Sequence, residues 1–266
     1  MLDRYNRKIN YLRISVTDRC NLRCTYCMPE DGIAQVKHED ILTFDEITAF
    51  IKEAVSLGVN KVRITGGEPL VRKGIVDLVR MIAKISGIDD LSMTTNAVLM
   101  SQFAQPLWDA GLRRINVSLD TLDIEKFKLI TRGGNINDVF KGLEEAKRVG
   151  FNPIKINCVI DKSSNEPDAI AVKEFAISNG FEVRFIPMMN LEQGIFGQVE
   201  GGEGGNCSSC NRLRLTANGY IKPCLFSDLG FNIRELGARI AIQTAIGQKP
   251  ESGSQNLEGE FYNIGG

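Results

Sequence analysis

Residues 12–27 read LRISVTDRCNLRCTYC. The stretch joins two signals. LRISVTD (12–18) is a short β-rich run, and the nine residues after it carry Cys20, Cys24 and Cys27 at C-x3-C-x2-C spacing. Three thiols on a loop leave a four-coordinate site one ligand short. A structural zinc would have to take its fourth ligand from elsewhere in the chain. Thiolates also suit an iron–sulfur cubane, where three leave one iron free for a cofactor or substrate. A loop just after a first strand is a poor place for a purely structural metal, because the ends of strands are where α/β proteins put their chemistry.

The rest of the chain repeats that opening strand. KVRITGG (61–67), LSMTTN (91–96), RINVSLD (114–120), IKINCVI (154–160) and EVRFIPMM (182–189) are further strand candidates, mostly apolar with few charges. Such runs predict parallel strands covered on both faces. Between them lie helical patterns. The run from Thr43 opens with a capping box to Glu46, continues with apolar residues at helical spacing, and stops at Gly58. Val71–Ile85, Val98–Ala110, Ile136–Val149 and Asp168–Asn179 follow, the last two before Gly150 and Gly180. Strand–helix alternation predicts a parallel sheet with right-handed crossovers. Periodicity alone does not separate a barrel from an open sheet. Polar and small residues gather after the strands: Asp18 and Cys20, then Gly66–Gly67–Glu68, Thr95–Asn96, and Ser118 with Asp120.

Past Met189 the character changes. NLEQGIFGQVEGGEGGN (190–206) reads as a glycine-rich loop, and LRLTANGYIKPCL (213–225) as a hairpin turning at Asn218–Gly219. A helical pattern spans Ile233–Ile246, and the polar tail Gln248–Glu260 reads as flexible.

Composition limits the function classes. The 266 residues fit one large domain, or one domain with a small extension. A net charge of −1 gives no global electrostatic case for nucleic acid or an anionic membrane. No apolar run approaches the ~20 residues of a membrane span, and the N-terminal residues lack an apolar leader core. The expected location is the cytoplasm. Seven cysteines in a reducing compartment argue for metal or catalysis rather than disulfides. The only histidine, His38, lies in a polar run and reads as a surface residue, which argues against His-based zinc or Ser-His-Asp chemistry.

A second set of three thiols, Cys207, Cys210 and Cys224, repeats the pattern of the first. A zinc ribbon would need a fourth ligand, and the remaining cysteine, Cys158, sits in an apolar strand, where it reads as a small core residue. A second open cluster is the sharper reading. Arg13, Arg63, Lys155 and Arg184 sit on strands that otherwise avoid charge. A buried cation is costly unless paired, so these residues either form ion pairs with carboxylates of the sheet or face a ligand. Arg212 and Arg214, two residues apart on a strand, share a face close to Cys210.

CNLRCTYC after a first strand, with GGEP (66–69) after the second, resembles the radical S-adenosylmethionine (SAM) superfamily. Together with LRISVTDRCNLRCTYCMP, KVRITGGEPL, TTN, GLRRINVSLD, VRFI, CSSCNRLRLTANGYIKPCLF and the terminal IGG, the chain resembles the GTP 3′,8-cyclase family over nearly its whole length. The resemblance implies an incomplete (β/α)6 TIM-type barrel over residues 1–190. Residues 191–266 would form a C-terminal region carrying the second cluster and a glycine tail, with Gly265 and Gly266 inserted toward the active site. It implies two [4Fe–4S] clusters and SAM, whose cleavage yields a 5′-deoxyadenosyl radical. GTP would be converted to (8S)-3′,8-cyclo-7,8-dihydroguanosine 5′-triphosphate in molybdenum cofactor biosynthesis, with a low-potential reductant such as flavodoxin or ferredoxin. A homodimer is compatible with the sequence.

Carried over residue by residue, Cys20, Cys24 and Cys27 hold the SAM cluster, and Cys207, Cys210 and Cys224 hold the second. Tyr26, Gly66, Gly67, Glu68, Ser118 and Met189 contact SAM. Arg13, Arg63, Thr94, Lys155, Arg184, Arg212 and Arg214 contact GTP, the last two also as catalytic residues. With no G-x-x-x-x-G-K-[ST] loop in the chain, side chains must hold the triphosphate, and arginine gives it planar, bidentate donors. Two departures stand out. The family has a longer segment between the sixth strand and the second thiol set, and Pro187 stands where a carboxylate is usual. A shorter wall would reshape the pocket, so a related radical SAM enzyme acting on another small molecule or a peptide is the alternative. A zinc-binding regulatory protein is the non-enzymatic one.

Overall fold

Strand β1 (Tyr11–Ser15) has parallel partners on both sides. In this computed structural model, which describes residues 1–190 and 193–253, β2 (Lys61–Thr65), β3 (Asp90–Thr95), β4 (Arg114–Ser118), β5 (Ile154–Ile160) and β6 (Glu182–Pro187) extend from one side in chain order. On the other side β7 (Arg212–Leu215) lies parallel to β1, followed by β8 (Tyr220–Lys222) and β9 (Phe231–Asn232), both antiparallel. The nine strands form one sheet ordered β6-β5-β4-β3-β2-β1-β7-β8-β9, open between its two edges. The expected incomplete barrel is this open, mostly parallel sheet with helical crossovers. The sheet also runs without a break across residue 190, because β7 joins β1.

The helices follow the sequence signals closely. Helix α1 (Phe44–Ser56) begins at the Thr43–Glu46 capping box, α5 (Ile136–Val149) ends at Gly150, and α6 (Pro167–Asn179) ends at Gly180, both glycines left-handed. Helix α2 (Ile75–Ala83) starts later than periodicity predicts. A single 3-10 turn at Pro69–Val71 and the left-handed Gly74 precede it. Helix α3 spans Met100–Asp109, and α4 (Ile124–Thr131), capped by Asp123, had no strong apolar period to announce it. The single helix expected over Ile233–Ile246 is two, α7 (Ile233–Leu236) and α8 (Ala238–Gly247). Gly237 breaks them at φ 75°.

Strand alternation sorts the side chains into two layers. Leu12, Ile14, Val62, Ile64, Met93, Ile115, Val117, Ile154 and Ile156 are buried, and in register they form the apolar face under the helices. The opposite face is polar. One row runs Arg214, Arg13, Arg63, Ser92, Arg114 across β7, β1, β2, β3 and β4. The next runs Thr94, Asn116, Lys155, Glu182 across β3 to β6. A closed TIM barrel fills this space with branched apolar side chains. Here charged and amide groups line it instead.

The glycine-rich linker runs along the edge of β6. Phe185 and Glu200 exchange backbone hydrogen bonds of 3.1 and 3.0 Å as an antiparallel bridge. Gly201, at φ 75°, lets the chain turn where a Cβ would lie 2.7 Å from the Val183 carbonyl. Farther on, Arg212 Nη2 donates to the Glu203 carbonyl at 3.2 Å, so the linker touches both β6 and β7.

Candidate active site

The first thiol set sits where β1 ends. Cys24 caps a turn whose carbonyl accepts from the N–H groups of Cys27 (2.9 Å) and Met28 (3.0 Å). Cys20 Sγ accepts from Leu22 N–H at 3.4 Å and from Asn96 Nδ2 at 3.8 Å. Burial pushes Cys20 up to about 11 and Cys24 up to about 12, reinforced by the neighbouring thiols, and raises Cys27 as well. The free thiols are therefore protonated at neutral pH, and a metal must displace those protons. Among the described residues no three side chains converge tightly enough for a single metal ion. A cubane places each thiolate on a different iron, so three thiols spread along one loop fit that group.

The GGEP turn packs directly under this loop. Gly67 N–H donates to the Thr17 carbonyl at 2.7 Å, and Glu68 N–H to the Arg19 carbonyl at 2.8 Å. A Cβ at Gly67 would lie 2.3 Å from the Arg19 oxygen, and one at Gly66 2.7 Å from the Thr17 oxygen. The glycines therefore serve close backbone packing beneath the cysteine loop, and the space a Cβ would fill is taken by protein. Glu68 is 1% exposed, and both its oxygens are engaged. Oε1 accepts from Leu70 N–H (3.0 Å) and Thr95 Oγ1 (2.7 Å), Oε2 from Asn96 N–H (2.7 Å). Burial holds its carboxyl at about 7 against these hydrogen bonds. Tyr26 donates to Asp120 Oδ2 at 2.7 Å while Val159 N–H donates to Oδ1 at 2.8 Å, tying the cysteine loop to β4 and β5. Ser118 ends β4 in register with Asn157, and Met189 is half-buried just past β6. The structure thus gathers every residue expected at the cofactor onto this one end of the sheet.

The second thiol set lies at the other end. Cys210 precedes β7, which runs parallel to β1, and Cys224 follows the antiparallel β8, so both fall at the amino-terminal side of the parallel strands. The rule that sites follow the carboxyl ends finds the first set and not the second. Between the two runs the polar inner face, over a five-residue strand of about 15 Å. Burial works against ionisation of Cys210, yet Lys249, the Arg212 N–H and the guanidiniums of Arg212 and Arg214 bring it below the ordinary thiol value.

The inner face is strongly cationic. Lys155 is ion-paired with Glu182, so of the four strand cations it takes the ion-pair reading; Arg114, which the sequence did not single out, pairs with Asp90 at 3.0 Å. Among the described residues Arg13, Arg63, Arg184 and Arg212 have no such carboxylate. Arg63 Nε reaches Ser92 Oγ at 3.3 Å, while Arg13 Nε, Arg184 Nε, Arg212 Nε and Thr94 Oγ1 are buried without a hydrogen-bond partner. Burial first, then mutual repulsion, lowers Arg63 and Arg214 to about 9. Tyr11 sits among them, its ring centroid 5.6, 5.5 and 5.9 Å from the guanidinium carbons of Arg13, Arg63 and Arg212. Burial opposes ionisation of that phenol, but the three cations outweigh it and lower its pKa. Tyr11, as an ordinary strand tyrosine, gave no signal in the sequence.

The geometry matches what the chain is similar to. The Radical SAM superfamily matches residues 14–176. GTP 3′,8-cyclase from Thermodesulfovibrio yellowstonii is 41% identical over 89% of this chain and 88% of its own length. GTP 3′,8-cyclase from Peptoclostridium acidaminophilum is 39% identical over all of this chain and 98% of its own. The chain belongs to the GTP 3′,8-cyclase family of the radical SAM superfamily. The cofactors of that family, SAM and two [4Fe–4S] clusters, suit the two separated sets of three thiols. The alignment with the P. acidaminophilum enzyme runs over 319 positions against 266 residues here, so this GTP 3′,8-cyclase family member is a shortened one. Streptococcus suis SuiB bound to S-adenosylmethionine shares the fold at TM-score 0.65, with 20% identity over 87% of this chain and 63% of that one.

Several other expectations resolve simply. Cys158 is a buried core residue whose Sγ lies 3.8 Å from the Asp120 carbonyl. His38 is exposed. Gly265 and Gly266 lie outside the described residues. No helix among the described residues is long and apolar enough to cross a membrane.

Proposed function

We propose that the chain converts GTP to (8S)-3′,8-cyclo-7,8-dihydroguanosine 5′-triphosphate, a step of molybdenum cofactor biosynthesis, on the inner face between its two thiol sets. The observation that carries this reading is the row Arg214, Arg13, Arg63 with Arg212 beside it. These guanidiniums, on buried Arg63 and Arg214 and half-buried Arg13 and Arg212, crowd onto three adjacent strands and repel one another, and a polyanion lowers that cost while using their bidentate donors. Cys20, Cys24 and Cys27 would hold one cluster and Cys207, Cys210 and Cys224 the other. When bound, the first cluster with SAM supplies a hydrogen-abstracting radical, and the second an open iron for a base nitrogen.

The chain's own groups divide the rest of the work. Asn96 and the GGEP turn fix Cys20, and Tyr26, Asp120, Ser118 and Met189 surround the cofactor end. Arg13, Arg63, Arg184, Arg212, Arg214 and Thr94 hold the nucleotide along the strand axis, and Lys155 borders them in its ion pair with Glu182. Residues 1–190 thus make the radical and 191–266 anchor the base. A low-potential flavodoxin or ferredoxin in the cytoplasm would deliver the electrons, and neither nucleic acid nor membrane is required. Anaerobic incubation of the reconstituted protein with SAM, dithionite and GTP tests this. The cyclised dihydro-nucleotide is expected, and SAM cleavage without loss of GTP refutes it.

The linker favours one second reading. Gly197 packs on Pro187, its Cβ position 2.9 Å from the proline ring, so a short glycine run covers the β6 edge. A related radical SAM enzyme with a differently shaped pocket, taking another small molecule or a peptide, would leave GTP unbound in the same assay.

A further inference from the structure

Lys249 lies in the segment that its polarity marks as flexible, yet it is 2% exposed and ranks among the largest fully buried side chains. Its Nζ donates to the carbonyls of Arg212 at 2.8 Å and Pro223 at 2.6 Å, and its charge is felt by the thiols of Cys210 and Cys224, the cysteines next to those two segments. Arg212 lies two residues after Cys210, and Pro223 immediately precedes Cys224. One ammonium therefore joins the two chain segments that carry those cysteines. No carboxylate among the described residues pairs with it. A buried cation held by carbonyls and a thiol, with no carboxylate, is expensive, and no balancing anion faces it among the described residues.

A second buried cation completes the arrangement. Arg7 pairs with Asp3 at 2.6 Å, and donates to the carbonyls of Cys207 (2.8 Å), Glu251 (2.9 Å) and Pro250 (2.6 Å). Arg7 has its carboxylate, and its other hydrogen bonds go to backbone carbonyls. It fastens the residues after Lys249 to the Cys207 loop, which holds Lys249 in place. The two cations differ in that only Lys249 is left with net positive charge aimed at sulfur.

We propose that Lys249 is a positioning residue for the second iron–sulfur cluster, bridging the Cys210 and Cys224 segments and supplying the positive charge that balances the thiolate-bound group. The inference rests on the two-cluster reading above. A fixed cation beside a cluster favours its more negative, reduced state, so removing the charge shifts the reduction potential downward. A residue that merely packed would leave the potential unchanged.

The test uses the full chain with Cys20, Cys24 and Cys27 replaced by alanine, reconstituted anaerobically with iron and sulfide so that only the second set can load. About four irons per chain are expected. No iron–sulfur signal in this parent refutes the two-cluster reading itself, and the proposal with it. In that background Lys249→Gln keeps a hydrogen-bond donor without charge, and Lys249→Arg keeps the charge. An EPR-monitored redox titration should show a more negative midpoint for Lys249→Gln and a value near the parent for Lys249→Arg. Selective loss of iron from Lys249→Gln, with Lys249→Arg retaining it, supports the same conclusion. A loaded Lys249→Gln with the parent potential overturns the proposal. So does equal loss of iron from both variants with equal falls in melting temperature, since that is the signature of packing alone.

Discussion

The backbone N–H of Asn96 donates to Glu68 Oε2 at 2.7 Å, and through it the loop after β2 grips the loop after β3. The side chain of Asn96 then reaches Cys20 Sγ at 3.8 Å. A buried carboxyl group thus sets the position of the first thiol of the cofactor loop.

Replacing Glu68 by alanine leaves three donors, Leu70 N–H, Thr95 Oγ1 and Asn96 N–H, without their acceptor. Unsatisfied buried donors cost about 1–3 kcal/mol each before relaxation, so a loss of roughly 3 kcal/mol is expected. Urea unfolding measures it. Iron bound by the first thiol set should fall with it, and unchanged iron would show that Asn96 holds its place without Glu68.

The two thiol sets should separate kinetically. Cys24→Ala should abolish SAM cleavage. Cys210→Ala should retain uncoupled cleavage, read as 5′-deoxyadenosine, yet form no cyclised product. The two sets lie at opposite ends of the strands, so neither mutation touches the other's loop. Loss of cleavage in both variants would mean that the second set is needed to build the first.

Arg63→Met should weaken GTP binding and strengthen the free protein. One charge-assisted hydrogen bond of about 2 kcal/mol corresponds to roughly thirtyfold in affinity. Removing a buried guanidinium that repels Arg13 and Arg184 relieves a cost in the absence of ligand, so melting temperature should rise. Calorimetric titration and thermal unfolding read the two effects. A fall in both would mark Arg63 as a structural residue.

Glu46 gives the clearest pH dependence. Arg234 hydrogen-bonds its carboxylate, burial opposes this, and Thr43 adds two more bonds, holding it down to about 2 against an ordinary 4.5. A depressed carboxyl pKa stabilises the fold above the unfolded value, and the gain is lost as pH falls from 4.5 to about 2. Glu46→Gln should therefore melt lower than the parent at pH 7, with the gap narrowing below pH 4.5. A gap independent of pH would place the effect in packing.

The order of strands and helices was legible from local signals. The Thr43 capping box, the closing Gly150 and Gly180, and the short apolar runs of β1 to β5 act over a few residues, and local sequence alone reveals them. Helix α4 and the break at Gly237 were not, because a short helix and a single left-handed residue leave almost no periodic trace. At the site, residue types were legible and their neighbours were not. Cys20, Cys24 and Cys27 follow from spacing, whereas Tyr11 becomes notable only once three strands bring Arg13, Arg63 and Arg212 around it.

By itself the sequence determined that there are two sets of three thiols, one following a strand and one flanking a hairpin, and arginines on strands that have no local use for them. Covalent spacing and strand alternation carry that information directly. Only the tertiary structure decided that the sets lie at opposite ends of the sheet, because that depends on β7 docking parallel to β1 from some two hundred residues away. The same long-range pairing buries Lys249, a residue of a polar tail, against two of the cysteines. Burial and charge balance belong to the space that distant segments enclose, and no stretch of the chain contains that space on its own.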